Sequence, residues 1–342
     1  LHPARDTMNI PSWFSNLLNV DIPGDGETFF VNGMTLVRDG EILRANSEVS
    51  PSQDQTGKTF GFKWKQRDTY EGNLLKNMRN WLIEKYGDVA KAPWLADYGE
   101  NPVLLDAGCG AGFSVLELFG PILPRLRFIG ADISTAIDVA QERFRERGLQ
   151  GVFLQADCQR LPLPKSSVDL IFSEGALHHC DNTRTALESV QSYLKPGGRI
   201  LFYVYRKKGP VREFTDDHIR EQLQATSPEE AWDAIMPLTK LGKVLGDLHL
   251  KIEIPEEIKL LGIPAGQVDL QRLFYWHVFK AFYGSEMSLN EMNHVNFDWF
   301  MPKNAHRQTP EEVRNWCSAL NLTIEHEHIE NSGITIIAKK ET

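Results

Sequence analysis

The stretch Val103-Leu-Leu-Asp-Ala-Gly-Cys-Gly-Ala-Gly112 decides the fold. Val103, Leu104 and Leu105 follow Pro102 as a short apolar run, the pattern of a strand buried on both faces of a parallel sheet. Asp106 ends the run, glycines stand at positions 108, 110 and 112, and helix-compatible residues continue from Phe113 to Phe119. The order strand, glycine turn, helix lets the chain reverse sharply. It also lets a ligand approach bare backbone, with amide N–H groups pointing into the gap. A dinucleotide fingerprint uses the same device, but with its third glycine one residue later. The carboxylate of Asp106 adds a chemical difference. At the strand tip it repels a pyrophosphate and attracts an ammonium group, which favours a nucleoside carrying a cationic amino-acid tail.

Beyond this loop the chain alternates strand and helix, which predicts a parallel sheet with right-handed crossovers. Arg127 to Asp132 reads as the second strand, ending in a carboxylate placed to accept ribose hydroxyls. Ser134 is expected to cap a helix carrying Ile137, Ala140 and Phe144 on one face and closed by Gly148. Val152 to Gln155 is the third strand, leading into Ala156-Asp157-Cys158, and Val168 to Phe172 is the fourth, leading into Ser173-Glu174-Gly-Ala-Leu-His-His179. Ligands of open parallel sheets sit outside the carboxyl ends of the strands where the strand order reverses, here the first and fourth strands. Leu194-Lys-Pro-Gly-Gly198 turns into a fifth strand, Arg199 to Tyr205. Thr309-Pro-Glu-Glu312 starts a late helix, and Leu322 to Ile329 and Ile334 to Lys339 supply two last strands.

Asp106-Ala-Gly-Cys-Gly-Ala-Gly112, with the acids that follow at their intervals, resembles the cofactor loop of class I S-adenosylmethionine-dependent methyltransferases. The resemblance covers 103–205 and, more loosely, 309–340. It implies an α/β fold: a Rossmann-like, doubly wound, seven-stranded, mostly parallel sheet with an inserted helical cap and an N-terminal extension. It implies S-adenosyl-L-methionine as cofactor, held by Asp106, Gly108, Cys109, Gly110 and Gly112 at the first strand. Asp132 with Ile133 would follow at the second strand, Asp157 and Cys158 at the third, and Ser173 and Glu174 at the fourth. In the family, the acid after the third strand accepts from the adenine amino group, and the next backbone N–H meets the ring.

Methyl transfer from a sulfonium is an in-line displacement, to which an enzyme contributes alignment, exclusion of water and, for some acceptors, a base. His178 and His179 stand just past the fourth strand on the expected acceptor side, and either is a candidate base, with His178 favoured. The alternating Glu325-His-Glu-His328 reads as a solvated outer strand, and no metal site is expected.

The expected organisation is an N-terminal extension over 1–59, a first core segment over 60–205, a helical cap over 206–306 and a last core segment over 307–342. Within the extension, Phe29 to Leu43 alternates apolar and polar residues around Asn32-Gly33 and Asp39-Gly40, a pattern of short hairpins. It is similar to the tail of a small zinc-ribbon module found before some methyltransferase domains, without the metal cysteines. Ser50 to Thr59 reads as a polar linker, and Tyr70 to Tyr86 as an amphipathic helix with Leu74, Leu75, Met78, Trp81, Leu82 and Tyr86 inward. Arg206 to His306 is too long for a structureless loop and is expected to fold as a helical roof. Nine aromatics fall in the 27 residues 274–300; most are core, while Tyr275, Trp276, Phe279 and Trp299 are candidates for the substrate pocket.

The 342-residue chain has a net charge of −9, from 37 basic and 46 acidic side chains, which argues against a nucleic-acid partner. No apolar run approaches a membrane span, and no signal peptide is visible, so a cytosolic protein is expected. Cys109, Cys158, Cys180 and Cys317 are scattered, indicating neither a zinc site nor a disulfide framework. Leu1 to Thr7 precede the first methionine, Met8, and read as a cloning remnant. The expected function is methylation of a small or medium-sized organic acceptor, on oxygen or carbon. The alternatives are an RNA or protein methyltransferase and a non-catalytic cofactor-binding partner protein. The oligomeric state is left open by the sequence.

Overall fold

The computed structural model describes residues 10–46 and 48–341, so the reading of Leu1 to Thr7 falls outside the described residues. Twelve strands run in chain order. They are β1 (Thr28–Val31), β2 (Met34–Asp39), β3 (Ile42–Ala45), β4 (Val103–Ala107), β5 (Arg127–Asp132), β6 (Val152–Gln155), β7 (Val168–Glu174), β8 (Leu194–Tyr205), β9 (Lys251–Ile254), β10 (Gly266–Asp269), β11 (Leu322–Ile329) and β12 (Gly333–Lys340). The helices are α1 (Ser12–Leu18), α2 (Pro51–Lys65), α3 (Asn73–Tyr86), α4 (Phe113–Leu118), α5 (Ala136–Glu146), α6 (Thr183–Gln191), α7 (Pro210–Leu223), α8 (Pro228–Asp247), α9 (Leu270–His277), α10 (Leu289–Phe300) and α11 (Pro310–Ala319).

Ten strands form one sheet in the order β1-β2-β3-β6-β5-β4-β7-β8-β12-β11. From β3 to β8 all neighbours are parallel, and β12 and β11 close the far edge antiparallel. The chain runs outward from β4 to β5 and β6, then returns to β7 beside β4, so the strand order reverses between β4 and β7. The α/β class and doubly wound sheet are those expected, but the sheet is wider than seven strands. The hairpins of residues 28–45 join its edge, with β3 parallel to β6 through the register Leu43 to Leu154. Their alternation buries Val31, Met34, Leu36 and Leu43, and that apolar face packs on the core rather than standing apart.

Every residue of β4 is buried. Val103, Leu105 and Ala107 join the apolar layer that includes α6 and α11, while Leu104 joins the opposite layer with Leu82, Phe119 and Phe128. Full burial of each such leucine contributes about 1.5–3 kcal/mol, which fixes this strand at the sheet centre.

Two expectations about helices need correction. Ser50 to Thr59 is not a linker but most of α2: Ser50 accepts from the Gln53 N–H at 3.1 Å, and Pro51 occupies the first turn. The N-cap position of α5 falls one residue later, at Thr135, but the Ser134 hydroxyl still accepts from the Ala136 N–H at 3.1 Å while donating to Asp132 at 2.6 Å. Residues 206–306 hold α7 to α10 and the separate β9–β10 hairpin. Helices α8 and α10 are pinned by reciprocal Ser–Glu capping boxes at Ser227–Glu230 and Ser288–Glu291. They are joined by a buried chain in which Thr239 donates to Asn293 at 2.6 Å and accepts from Asn296 at 2.9 Å.

Candidate active site

A cavity of about 520 Å³ opens beyond the carboxyl ends of β4 to β8, where the strand order reverses. Its floor is the glycine loop. Gly108 has φ +82°, and a Cβ there would lie 2.2 Å from the Cβ of Ala176, so only glycine lets the β4 and β7 loops meet. Gly108→Ala should destabilise the protein by on the order of 1–3 kcal/mol or more, from the left-handed backbone and the clash together. Thermal unfolding checks this, and an unchanged midpoint would show that the loop accommodates the methyl group. Gly110, with φ +51°, is pressed by the indole of Trp64, whose Nε1 would stand 2.8 Å from an added Cβ.

Asp106 is 2% exposed at the tip of β4 and accepts no hydrogen bond from the described residues. Burial, with Asp132 and Glu174 nearby, pushes its carboxyl well above the usual carboxylate range. A cationic group at its side would reverse that shift. Asp132 differs: one oxygen accepts from the Gly110 N–H at 2.8 Å, the other from Ser134 N–H at 2.8 Å and Oγ at 2.6 Å. It braces the glycine loop against β5, with one lone pair left toward the cavity. Ile133, Asp157 and Cys158 line the same wall. Asp157 accepts from the Gln159 N–H at 2.9 Å, and the Cys158 and Cys180 sulfurs stand 3.8 Å apart as free thiols.

Glu174 reaches the cavity but is already engaged by α3: Lys85 Nζ donates to one oxygen at 2.5 Å and the Tyr86 hydroxyl to the other at 2.6 Å. Lys85 is fully buried over the rings of Trp81 and Tyr203, and burial pushes it down to about 8 despite its partner. Leu74, Met78 and Trp81 of the same helix line the cavity.

Two other predicted residues of this set lie outside the lining. Gly112 caps α4 against Phe144 and Ala140, and Ser173 is wholly buried, donating to the Ala107 carbonyl at 2.7 Å. Both support the loop from behind.

The two histidines separate cleanly. His178, the favoured base, is wholly buried and does not line the cavity; its ring lies on Tyr205 with centroids 3.7 Å apart, and neither nitrogen has a partner among the described residues. It is a packing residue. His179 lines the cavity, and its Nδ1 is 2.6 Å from the Asn304 carbonyl, which accepts from an Nδ1–H. That contact fixes the tautomer with a lone pair on Nε2, which has no partner among the described residues. Burial pushes His179 down to about 4, so the ring is neutral at physiological pH.

The walls come from α2 and from residues 206–306. Gln53, Thr56, Phe60, Lys63 and Trp64 of α2 face the cavity. Lys63 is ion-paired with Asp298 of α10, whose other oxygen accepts from the Tyr205 hydroxyl at 2.8 Å. Lys63 and the other cations nearby hold the Asp298 carboxyl far below the usual range. Tyr275, Trp276 and Trp299 line the cavity, whereas Phe279 does not: it packs edge-on against Phe274 at 5.7 Å. The Glu325–His328 segment lies on the edge strand β11, where Arg199 grips Glu325 at 2.6 and 2.9 Å and His326 Nε2 is 2.6 Å from the Lys85 carbonyl.

A doubly wound sheet with a glycine loop and acids at successive strand tips is a frame that binds nucleosides outside its strand ends. Residues 105–202 match the family described as "Methyltransferase domain". The chain is 25% identical over 170 residues to a demethylmenaquinone methyltransferase of Lactococcus lactis, covering 49% of this chain and 60% of that protein. It is 33% identical over 124 residues to a juvenile hormone acid O-methyltransferase of Drosophila melanogaster, covering 35% and 41%. The chain thus spans between about two fifths and three fifths of these relatives. A solved S-adenosylmethionine-dependent methyltransferase from Aquifex aeolicus overlays 72% of the chain and 87% of its own, at 13% identity and a TM-score of 0.38.

Proposed function

We propose that this chain is a methyltransferase that binds S-adenosyl-L-methionine over the β4–β6 tips and methylates a small or medium-sized organic acceptor beneath α2 and α10. The observation that carries the reading is Asp106, a buried carboxyl without a hydrogen-bond donor among the described residues, turned to a cavity large enough for a nucleoside and an acceptor. The residues present fit the cofactor: Asp106 would take its ammonium, the free lone pair of Asp132 a ribose hydroxyl, and Asp157 with the Cys158 backbone the adenine. When bound, the cofactor supplies an electrophilic methyl group. The chain's own residues orient the acceptor, exclude water behind the rings of Tyr275, Trp276 and Trp299, and hold the His179 Nε2 lone pair ready to receive an acceptor proton. Methylation of oxygen or carbon belongs to this reading, since both release a proton that a neutral imidazole accepts. An acidic chain favours a small acceptor over RNA, and the relatives named act on quinone-type and acid acceptors.

The test exploits the conflict built into Asp106. Asp106→Asn removes a carboxylate repelled by Asp132 and Glu174, so the free protein should melt higher than wild type. The same variant should bind S-adenosylhomocysteine about tenfold more weakly or worse, by titration calorimetry, as one charge-assisted contact is lost. No heat with wild type, or equal affinities, would sink the proposal.

A further inference from the structure

Past the tip of β8 the cavity meets a second group of charges. The Nζ of Lys208, the guanidinium of Arg212 on α7 and the Nζ of Lys280 stand 5.3, 5.4 and 4.9 Å from the ring centroid of Trp299. All of them line the cavity. Arg212 is answered within the fold by Asp216, 2.6 Å away and equally buried. The two lysines are not. Among the described residues Lys208 Nζ donates only to the Arg206 and Ser332 carbonyls, at 2.6 and 3.0 Å. Lys280, 6% exposed, has no hydrogen-bonded or ion-paired partner for its Nζ among the described residues.

The neighbouring carboxylates are already committed. Asp216 also accepts from the Trp299 indole N–H at 2.7 Å, and Asp298 serves Lys63 and Tyr205. Burying an ammonium costs several kcal/mol unless a counter-charge meets it or it loses its proton. Burial pushes Lys280 down to about 7, and Lys208 is held well below its ordinary range. Two such amines around one indole, both lining a ligand cavity, form a place for an anion from outside the protein.

We propose that the methyl acceptor carries an anionic group, a carboxylate or a phosphate, which Lys208 and Lys280 hold beside Trp299. This rests on the cavity being a methyltransferase active site. The cofactor's own carboxylate is the competing anion, and the sheet separates the two. β8 stands two strands from β4, about 10 Å away at the usual strand spacing, whereas the cofactor tail belongs to the β4 loop.

The experiment titrates the S-adenosylhomocysteine-loaded protein with matched probes: benzoate, cinnamate and 1-naphthoate against their primary amides, and phenyl phosphate against phenol. At least one anion should bind tenfold or more tightly than its neutral partner. Lys280→Gln and Lys208→Gln should each remove that preference, and Lys280→Arg should keep most of it. S-adenosylhomocysteine affinity should be unchanged in all three. Lys280→Gln should not melt lower than wild type, since it removes an unmatched buried charge, whereas Lys208→Gln also gives up two hydrogen bonds to carbonyls; both are made so that one misfolded variant does not decide the matter. Neutral probes binding as well as the anions, or no probe binding at all, would overturn the proposal. So would a glutamine variant that weakens S-adenosylhomocysteine as much as the anion, which would assign the charge to the cofactor. If wild type does not bind S-adenosylhomocysteine, the underlying methyltransferase reading fails instead, and this proposal with it.

Discussion

His179→Ala should lower methyl-transfer turnover by about a hundredfold, while S-adenosylhomocysteine binds as in the wild type. The size follows from the loss of one positioned base, and the choice of residue from its Nε2 lone pair, set by the Asn304 carbonyl at 2.6 Å on the other nitrogen. The pH profile gives a second readout. Because burial holds the imidazole at about 4, the wild-type rate should stay level from pH 8 to about pH 5 and fall only below that. A histidine with its ordinary value would begin to fail near 6.5. The stability profile must be measured beside it. The unfolded chain takes up this proton near 6.5 and the folded chain only near 4, so between those values the unfolded state binds more protons and stability falls as pH drops. At pH 5 the loss from this residue alone is on the order of 2 kcal/mol. His178→Ala, at a ring buried on Tyr205, should cost stability and leave the rate per folded molecule unchanged. Equal turnover in wild type and His179→Ala would mean that alignment alone drives the reaction.

Asp298→Ala should destabilise the protein by about 3–5 kcal/mol, the usual cost of stripping a buried ion pair of one partner. It strands Lys63, whose side chain is 5% exposed, and removes the acceptor of the Tyr205 hydroxyl. The double variant Lys63→Met with Asp298→Leu should recover most of the loss, because no charge is then left without a partner. Urea unfolding of the three variants measures both effects. A single-variant loss under about 1 kcal/mol would show that water reaches Lys63 and screens it.

The sheet centre was legible because its signals are local. β4 is an apolar run with a terminal acid and alternating glycines, and β5 to β8 repeat the motif of strand then turn. Helix α2 was missed because its inward positions are Gln53, Thr56, Thr59 and Lys63, polar side chains at helical spacing that a hydrophobic pattern does not register. The usable signal was Ser50-Pro51, an N-cap followed by a first-turn proline. The choice between His178 and His179 was beyond the sequence. The turn Leu177–His179 sets which ring meets the cavity, and the two residues are neighbours of identical type. Lys208 and Lys280 carry no local signal in the sequence, since their place beside Trp299 depends on segments folded far along the chain. Phe279 shows the opposite error: an aromatic stripe marks packing and pocket alike, and only the tertiary structure separates them.

The place of β12 between β8 and β11 bears on how the chain is made. β8 pairs with β7 on one side and with β12 on the other, in the register Tyr205 to Gly333 through Arg199 to Lys339. On a ribosome, β8 emerges more than a hundred residues before that partner. Throughout this interval the apolar run Ile200 to Tyr205 carries an open row of backbone donors and acceptors, the template on which strands of other chains add. A nascent or truncated chain without residues 333–340 therefore exposes an adhesive edge, and the emergence of that segment is what seals it.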